Sequence, residues 1–343
     1  MDFSLSAEEH EFKLRFERFC QERIAPRATQ ADLTGQLPRE NWCELVDAGY
    51  FGLFHPVALG GSGASGIVQA IAMECLAQAC ASTLWTVTIS TALCGKILHN
   101  LCGPRHHERW LRPIIAGERV GCFAATEHGS GSDPGSYRTS VTTAAGGYRL
   151  NGEKSRISNA GVADVAVVLA RLEGSQPAGS AGLCYVVVDL HTHGVRRAEQ
   201  EKLGLRAMSW GKLSFEDVEI EPEDVIANAD MDATLQSVEW GQLLQSLCAI
   251  GIAEAALSTA TAFAAERQAF GRPIRALPGR AFPTRPDPRG DRRRTAAGIR
   301  SGLAEGPGTS GARSRGDGQD LCDRDVRANG GRRHAHAGRL GLQ

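Results

Sequence analysis

Residues 123–159 constrain the chain more than any other stretch. A short apolar run, Phe123-Ala124-Ala125, passes into Thr126-Glu127-His128-Gly129-Ser130-Gly131-Ser132-Asp133, a loop of small residues and hydroxyls. Glycine lets a backbone approach a ligand closely. Successive backbone N–H groups, with Ser and Thr hydroxyls, hold phosphate oxygens without a cationic side chain. Downstream, Asn151-Gly152 is a hairpin turn signal flanked by Tyr148, Leu150 and Ile157. The stretch predicts a β unit carrying an anion-friendly loop, not a helix. Gly-Ser loops also serve as plain connectors, and that reading stands beside the anion-binding one. A serine-hydrolase elbow does not fit, because Gly129-Ser130-Gly131-Ser132 lacks the Gly-x-Ser-x-Gly spacing and no strand-turn-helix context follows.

Upstream, residues 1–117 read as helical. Ser6 N-caps a first helix with Glu8 and Glu9 in its first turn. Phe12, Phe16 and Phe19 follow at helical spacing and form a core-facing stripe. Pro26 punctuates. A second helix spans 39–48 and stops at Gly49. Two long apolar helices cover about 65–80 and 83–101, and Gly103-Pro104 ends the second. A short helix over 107–116 carries Trp110 and Leu111. Residues 118–230 read as strands, with β-rich runs at 165–170 and 183–188. From Met231 a helix begins whose apolar face is Leu243, Leu247, Ile250, Ile252, Leu257 and Phe263.

A chain of 343 residues holds two or three domains. Its 38 Lys and Arg nearly balance 39 Asp and Glu, leaving a net charge of -1. That gives no field for nucleic acid or an anionic membrane. No apolar run reads as long enough to span a bilayer, and residues 1–6 lack the features of a signal peptide. The expected location is the cytoplasm. The 10 cysteines are scattered without a Cys-x-x-Cys pair. Buried free thiols are expected, and no metal site.

Thr126-Glu127, then Gly131-Ser132-Asp133, then Asn151-Gly152-Glu153-Lys154, then Ser158-Asn159, resembles the flavin-binding middle domain of the acyl-CoA dehydrogenase family. Gly49-x-Phe51-Gly52-Leu53, Gly60-Gly61-Ser62-Gly63 and residues 110–118 resemble its N-terminal domain, with Leu59 where an aromatic residue is usual. Residues 201–206, 215–220 and 266–274 extend the likeness to about residue 279. The resemblance implies an α+β multidomain fold. Residues 1–117 would be an N-terminal all-α domain, 118–230 a middle β-barrel-like domain, and 231–279 the start of a C-terminal four-helix-bundle domain.

After Gly279 the composition changes. Arginine, glycine and proline are dense, lysine is absent, and large apolar residues are few. Such a segment buries too little apolar surface to offset the entropy of ordering. The bundle is therefore truncated, and 280–343 reads as an atypical tail, the product of out-of-frame translation of GC-rich coding DNA. A basic tail for nucleic acid is the lesser reading, since no aromatics interleave with the arginines.

The resemblance implies FAD as cofactor and removal of two hydrogens across Cα–Cβ of an acyl thioester. A base takes the α proton, and hydride passes from the β carbon to flavin N5. Carried over by position, Phe123, Ala125 and Thr126 lie along the flavin ring, and Thr126 hydrogen-bonds it. Ser132 stands between pyrophosphate and the substrate's pantetheine, and Ser158 touches the ring. Arg156 replaces a usual aromatic; its guanidinium can stack on a planar ring. Arg267 reaches the pyrophosphate of a neighbouring subunit's FAD, with Phe270 beside it, which implies a homo-oligomer, dimer or tetramer. The usual late C-terminal glutamate has no counterpart. Gly241 stands where a minority of relatives carry the base, leaving Glu239 as the candidate. Expected partners are acyl-CoA or an acyl- or aminoacyl-carrier protein, with an electron-transfer flavoprotein or other acceptor. The Arg156 departure leans toward secondary metabolism. The rivals are an inactive remnant without a base and a flavin-dependent oxygenase on the same fold.

Overall fold

Ser6 starts the first helix in the way its sequence demands. Its Oγ accepts the Glu9 N–H at 3.2 Å, while the Glu9 carboxylate accepts the Ser6 N–H at 2.8 Å. The computed structural model describes residues 4–173, 182–226 and 231–277, and of 231–240 only the backbone. The expected tail over 280–343 lies outside the described residues. Helices run α1 Ala7–Phe19, α2 Ala28–Thr34, α3 Arg39–Asp47, α4 Gly66–Thr88, α5 Gly95–Leu101, α6 Pro104–His106, α7 Arg112–Ile115 and α8 Met231–Glu266. Short π-helical turns at Ile89–Cys94 and His107–Leu111 carry the chain between α4 and α5 and between α6 and α7. Gly49 takes a left-handed φ of 73° and ends the second predicted helix.

Among the described residues the chain forms two compact units. One takes residues 4–25, 65–81 and 242–277; the other takes 26–64 and 82–241. The division falls inside α4, next to Cys80, whose φ of -160° and ψ of 100° break the helix. The sequence signalled two helices meeting near this point.

In the first unit α1 buries Phe16 and leaves Phe12 and Phe19 half-buried, with neighbouring ring centroids 5.6 Å apart. Gly251 of α8 packs on α4 so closely that a Cβ would lie 2.5 Å from Ala77 Cβ and 2.7 Å from the Glu74 carbonyl oxygen. Leu243, Leu247 and Ile250 are buried, whereas Ile252 and Phe263 are exposed. Among the described residues the apolar face of α8 is thus covered from Leu243 to Ile250 and open at Ile252 and Phe263. Gly66–Leu101 and Gly241–Glu266 are long and apolar enough to cross a membrane by length and composition, which corrects the sequence expectation. In the first, 78% of the most apolar window is buried inside the protein.

The second unit holds a sheet of β1 Gly121–Ala124, β2 Ser140–Ala144, β3 Gly147–Ser158, β4 Val165–Leu172, β5 Leu183–Asp189, β6 Val195–Glu199, β7 Trp210–Ile220 and β8 Val225–Ile226. A separate pair, β9 Gln268–Ala269 and β10 Arg272–Pro273, follows α8 in the first unit. The strand order is β6-β7-β3-β2-β4-β5-β8, with β1 parallel to β4. β4 divides one edge between two partners: β1 along Val165 to Val168, then β2 at Arg171 and Leu172. The expected barrel does not close. Closure needs a hydrogen-bonded register between end strands, and β8 at one end is two residues long. β4 is apolar without alternation because both its faces are buried. Ala166, Val168 and Ala170 face a core with Val186, Leu213 and Phe215, whereas Val165, Val167 and Leu169 pack with Leu98, Leu111 and Ile114 from the helices.

The Asn-Gly signal was misread as a turn. The β2–β3 turn is Ala145-Gly146, with Gly146 at φ 82°, and Asn151-Gly152 lies inside β3. Gly152 sits at a register shift with φ 137°, where a Cβ would lie 2.6 Å from Thr139 Cα. Asn151 exchanges hydrogen bonds with the Asp217 N–H at 2.8 Å and the Asp217 carboxylate at 3.0 Å. A bulge and a turn both select glycine at positive φ, and only strand pairing distinguishes them.

Within the first unit, Glu74 is 8% exposed. Burial pushes its carboxyl up to about 7; Glu254 and Glu17 add to the rise, and Lys13, 3.9 Å away, opposes it. The ordinary value is 4.5, so between that pH and about 7 the folded chain holds a proton that the unfolded chain has lost. Stability should therefore fall as pH rises through that window. Urea unfolding should show this slope, and Glu74→Gln should flatten it; an unchanged slope would assign it to another group.

Candidate functional site

Lys154 of β3 is fully buried, which a lone ammonium does not tolerate. Its Nζ donates to Glu127 Oε1 at 2.8 Å and to the Ala125 carbonyl at 2.9 Å, and lies 4.3 Å from the centroid of the Tyr137 ring. Glu127 also accepts the backbone N–H groups of Arg138 at 2.7 Å and Thr139 at 2.9 Å. One carboxylate thus joins the start of the Ser-Gly loop, its end and β3. Burial pushes the Lys154 ammonium down to about 8, against the pull of Glu127. Burial alone would raise the Glu127 carboxyl, but hydrogen bonds from Lys154, Arg138 and Thr139 outweigh it and hold the group below its ordinary value.

The loop is organised around this pair. The backbones of Glu127 and Ser130 exchange hydrogen bonds at 2.9 and 3.3 Å. Asp133 accepts from Gly135 N–H at 3.0 Å and from Ser136 Oγ at 2.6 Å, closing a turn at Pro134–Ser136. The Tyr137 hydroxyl donates to the Gly131 carbonyl at 3.1 Å. Beside the pair, Ser155 N–H donates to the Thr126 carbonyl at 2.9 Å and brings the exit of β1 against the end of β3.

Phe123, Ala125, Thr126, Arg156 and Ser158 all lie on these two joined chain segments. Phe123 and Ala125 are half-buried against the helical cluster, with the Phe123 ring 6.3 Å from that of Tyr185. Thr126 is half-buried, and its hydroxyl has no partner among the described residues. Ser132 is exposed in the loop with its hydroxyl likewise unengaged. Arg156 is exposed at a second register shift in β3, with φ 59°. Ser158 is half-buried, and its Oγ accepts the Trp85 indole N–H at 3.0 Å. Ser155 Oγ is buried without a partner. Unused hydroxyls beside an apolar wall suit a planar ring with a polar edge and an attached phosphate, so these residues fit a flavin dinucleotide.

Arg267 and Phe270 belong to the first unit. Arg267 follows α8 and is exposed, with its N–H on the Phe263 carbonyl at 2.9 Å. Phe270 is 92% exposed at φ 54° in the turn between β9 and β10. The Glu239 side chain lies outside the described residues.

Two residues of this site were given no role in the sequence reading, Asn159 although it was quoted in a motif. Asn159 is fully buried at φ 67°, and its Nδ2 donates to the carbonyls of Thr86 at 2.9 Å and Gly121 at 3.1 Å. Asparagine's tolerance of the left-handed region was the available signal. Trp85 had none, since an indole in an apolar helix reads as packing and its partner is 73 residues away.

Residues 6–118 match the family model described as acyl-CoA dehydrogenase, N-terminal domain, and residues 122–218 the one described as acyl-CoA dehydrogenase, middle domain. Benzylmalonyl-CoA dehydrogenase of Aromatoleum aromaticum is 31% identical over 281 residues, 80% of this chain and 72% of the relative. The solved butyryl-CoA dehydrogenase of Megasphaera elsdenii superposes with a TM-score of 0.86 at 24% identity, covering 94% of this chain and 86% of that one. A structure of PigA with FAD and proline gives a TM-score of 0.86 at 22% identity, covering 96% and 87%.

Lys154→Met leaves Glu127 buried and unpaired. It should cost about 3–5 kcal/mol in chemical denaturation. Adding Glu127→Gln should recover part of the loss, because it removes the unpaired charge while the amide oxygen still accepts one of the two backbone N–H groups. A single-variant cost below about 1 kcal/mol would place the pair with surface ion pairs.

Proposed function

The chain belongs to the acyl-CoA dehydrogenase family, and from that premise we propose that it is an FAD-dependent dehydrogenase that introduces a Cα–Cβ double bond into an acyl thioester. The observation that carries the reading is the set of hydroxyls at Thr126, Ser132 and Ser158, unspent as donors within the described chain and set on the loop and on the end of β3, which the Glu127–Lys154 pair joins. FAD, when bound, supplies the acceptor for the hydride from the β carbon.

The chain's own residues do the rest. Phe123 and Ala125 form an apolar wall for the ring, and Thr126 and Ser158 donate to its polar edge. Ser132 serves the pyrophosphate and the pantetheine arm. Arg156 would stand beside the ring in place of the usual aromatic, where a guanidinium can stack and would favour negative charge. Arg267, with Phe270, reaches the pyrophosphate of a neighbouring copy, so the working form is a dimer or tetramer. The α proton is weakly acidic, so the thioester carbonyl needs hydrogen-bond donors and the α carbon needs a base within reach. The Glu239 carboxylate is the candidate to take that proton. The acyl group rides on coenzyme A or on a carrier protein, electrons leave to an electron-transfer flavoprotein or another acceptor, and the reaction is placed in the cytoplasm.

A second reading, a flavin-binding chain without turnover, draws on the site itself. The carboxylate next in sequence to Thr126, that of Glu127, is committed to Lys154 and two backbone N–H groups.

Purified protein loaded with FAD and desalted should stay yellow. Its visible absorption should bleach without oxygen on adding a member of a panel of acyl-CoA and acyl- or aminoacyl-carrier-protein thioesters. A yellow protein that no thioester bleaches would favour the second reading. A colourless protein that takes up no FAD would sink both.

A further inference from the structure

A serine hydroxyl carries one proton and two acceptor lone pairs, whereas an indole N–H only donates. Trp85 Nε1 lies 3.0 Å from Ser158 Oγ, so the direction of that hydrogen bond is settled by chemistry: Ser158 accepts. The backbone of Ser158 is paired with Trp210 in the β3–β7 ladder. No described residue accepts the Ser158 hydroxyl proton, and the side chain is only half-buried. With one lone pair occupied by Trp85, the hydroxyl has a restricted rotation and its proton is left to point away from the indole.

The segment of α4 that carries Trp85 is held independently of any ligand. Thr83 Oγ1 accepts from Asn41 Nδ2 at 2.9 Å, and Asn41 Oδ1 accepts from Arg27 at 2.9 Å. Thr86 gives its carbonyl to the buried Asn159 amide, next in sequence to Ser158. The Thr88 hydroxyl meets that of Tyr50 at 2.7 Å. Asn159 also binds the Gly121 carbonyl, so this helical segment, β1 and the end of β3 share one polar clamp. The indole is set in place by these bonds and not by the ring it would serve.

We propose that Trp85 is a positioning residue: its indole N–H fixes the Ser158 hydroxyl as a donor aimed at a hydrogen-bond acceptor, a ring nitrogen or carbonyl oxygen, on the edge of the bound flavin. This rests on the FAD reading above. A hydroxyl already oriented loses less rotational freedom on binding, and a hydrogen bond to its oxygen strengthens it as a donor through cooperativity. A packing role for the indole would make no such link to Ser158.

The test is a double-mutant cycle on the affinity of apoprotein for FAD, read by flavin fluorescence quenching. Trp85→Phe keeps an aromatic ring and removes the N–H. It should weaken FAD binding roughly 3- to 10-fold in the wild-type background. Ser158→Ala should weaken it at least as much, and Trp85→Phe should then add less than about twofold. An equal loss from Trp85→Phe in both backgrounds would overturn the assignment and leave Trp85 as packing, while the FAD reading stood. A wild-type protein that binds no FAD would remove the reading and this assignment together. If Trp85→Phe does not fold, fluorine NMR of fluorotryptophan-labelled protein reads the same bond. Of the five tryptophan resonances, one should move on Ser158→Ala, and an unchanged spectrum would overturn the proposal.

Discussion

A charge that no water reaches holds the site together. Desolvating an ammonium and a carboxylate costs several kcal/mol per ion, which mutual attraction offsets only when other hydrogen bonds satisfy the remaining lone pairs. Lys154 and Glu127 meet that condition. The lysine has a carbonyl and an aromatic face besides the carboxylate, and the carboxylate has two backbone N–H groups besides the lysine. The geometry is costly to leave, so the loop between β1 and β2 is pinned at both ends although it is built from glycine and serine. Pinning of this kind is what the proposed use of its small hydroxyls as a ligand cradle requires.

The same region stores several backbone conformations that ordinary residues avoid. Arg156 and Asn159 both have positive φ, and Gly152 stands at 137°. Two of the three are held by a tertiary partner or a close approach: Asn159 by two carbonyls, Gly152 by Thr139. Such strain persists only where the surroundings over-determine it, and it gathers at functional sites. In β3 the register shifts at Gly152 and Arg156 re-aim the strand's side chains, so Lys154 and Ser155 are buried in succession instead of alternating.

Legibility in the sequence followed the range of the interaction. The Ser6 N-cap, the stop at Gly49 and the runs of β4 and β5 depend on neighbours within a few residues, and each was readable. The Asn151-Gly152 pair shows the limit. Its turn signal came from glycine's freedom of φ, and a bulge calls on the same freedom. The closed barrel failed for a similar reason, since strand composition says nothing of whether two end strands meet. Of the site, the order Thr126, Ser132, Ser158-Asn159 was visible as a pattern, while Trp85 and the role of Asn159 stayed hidden because their partners lie far along the chain.

From the sequence alone came the family, the succession of helices and strands, and the hydroxyl-rich loop, because capping, periodicity and motif order are properties of neighbouring residues. Tertiary structure decided which lysine is buried, which glycine bends a strand, and which indole directs which hydroxyl. Those outcomes depend on burial and on partners brought together from distant positions, and a buried polar group takes its role from what surrounds it in space.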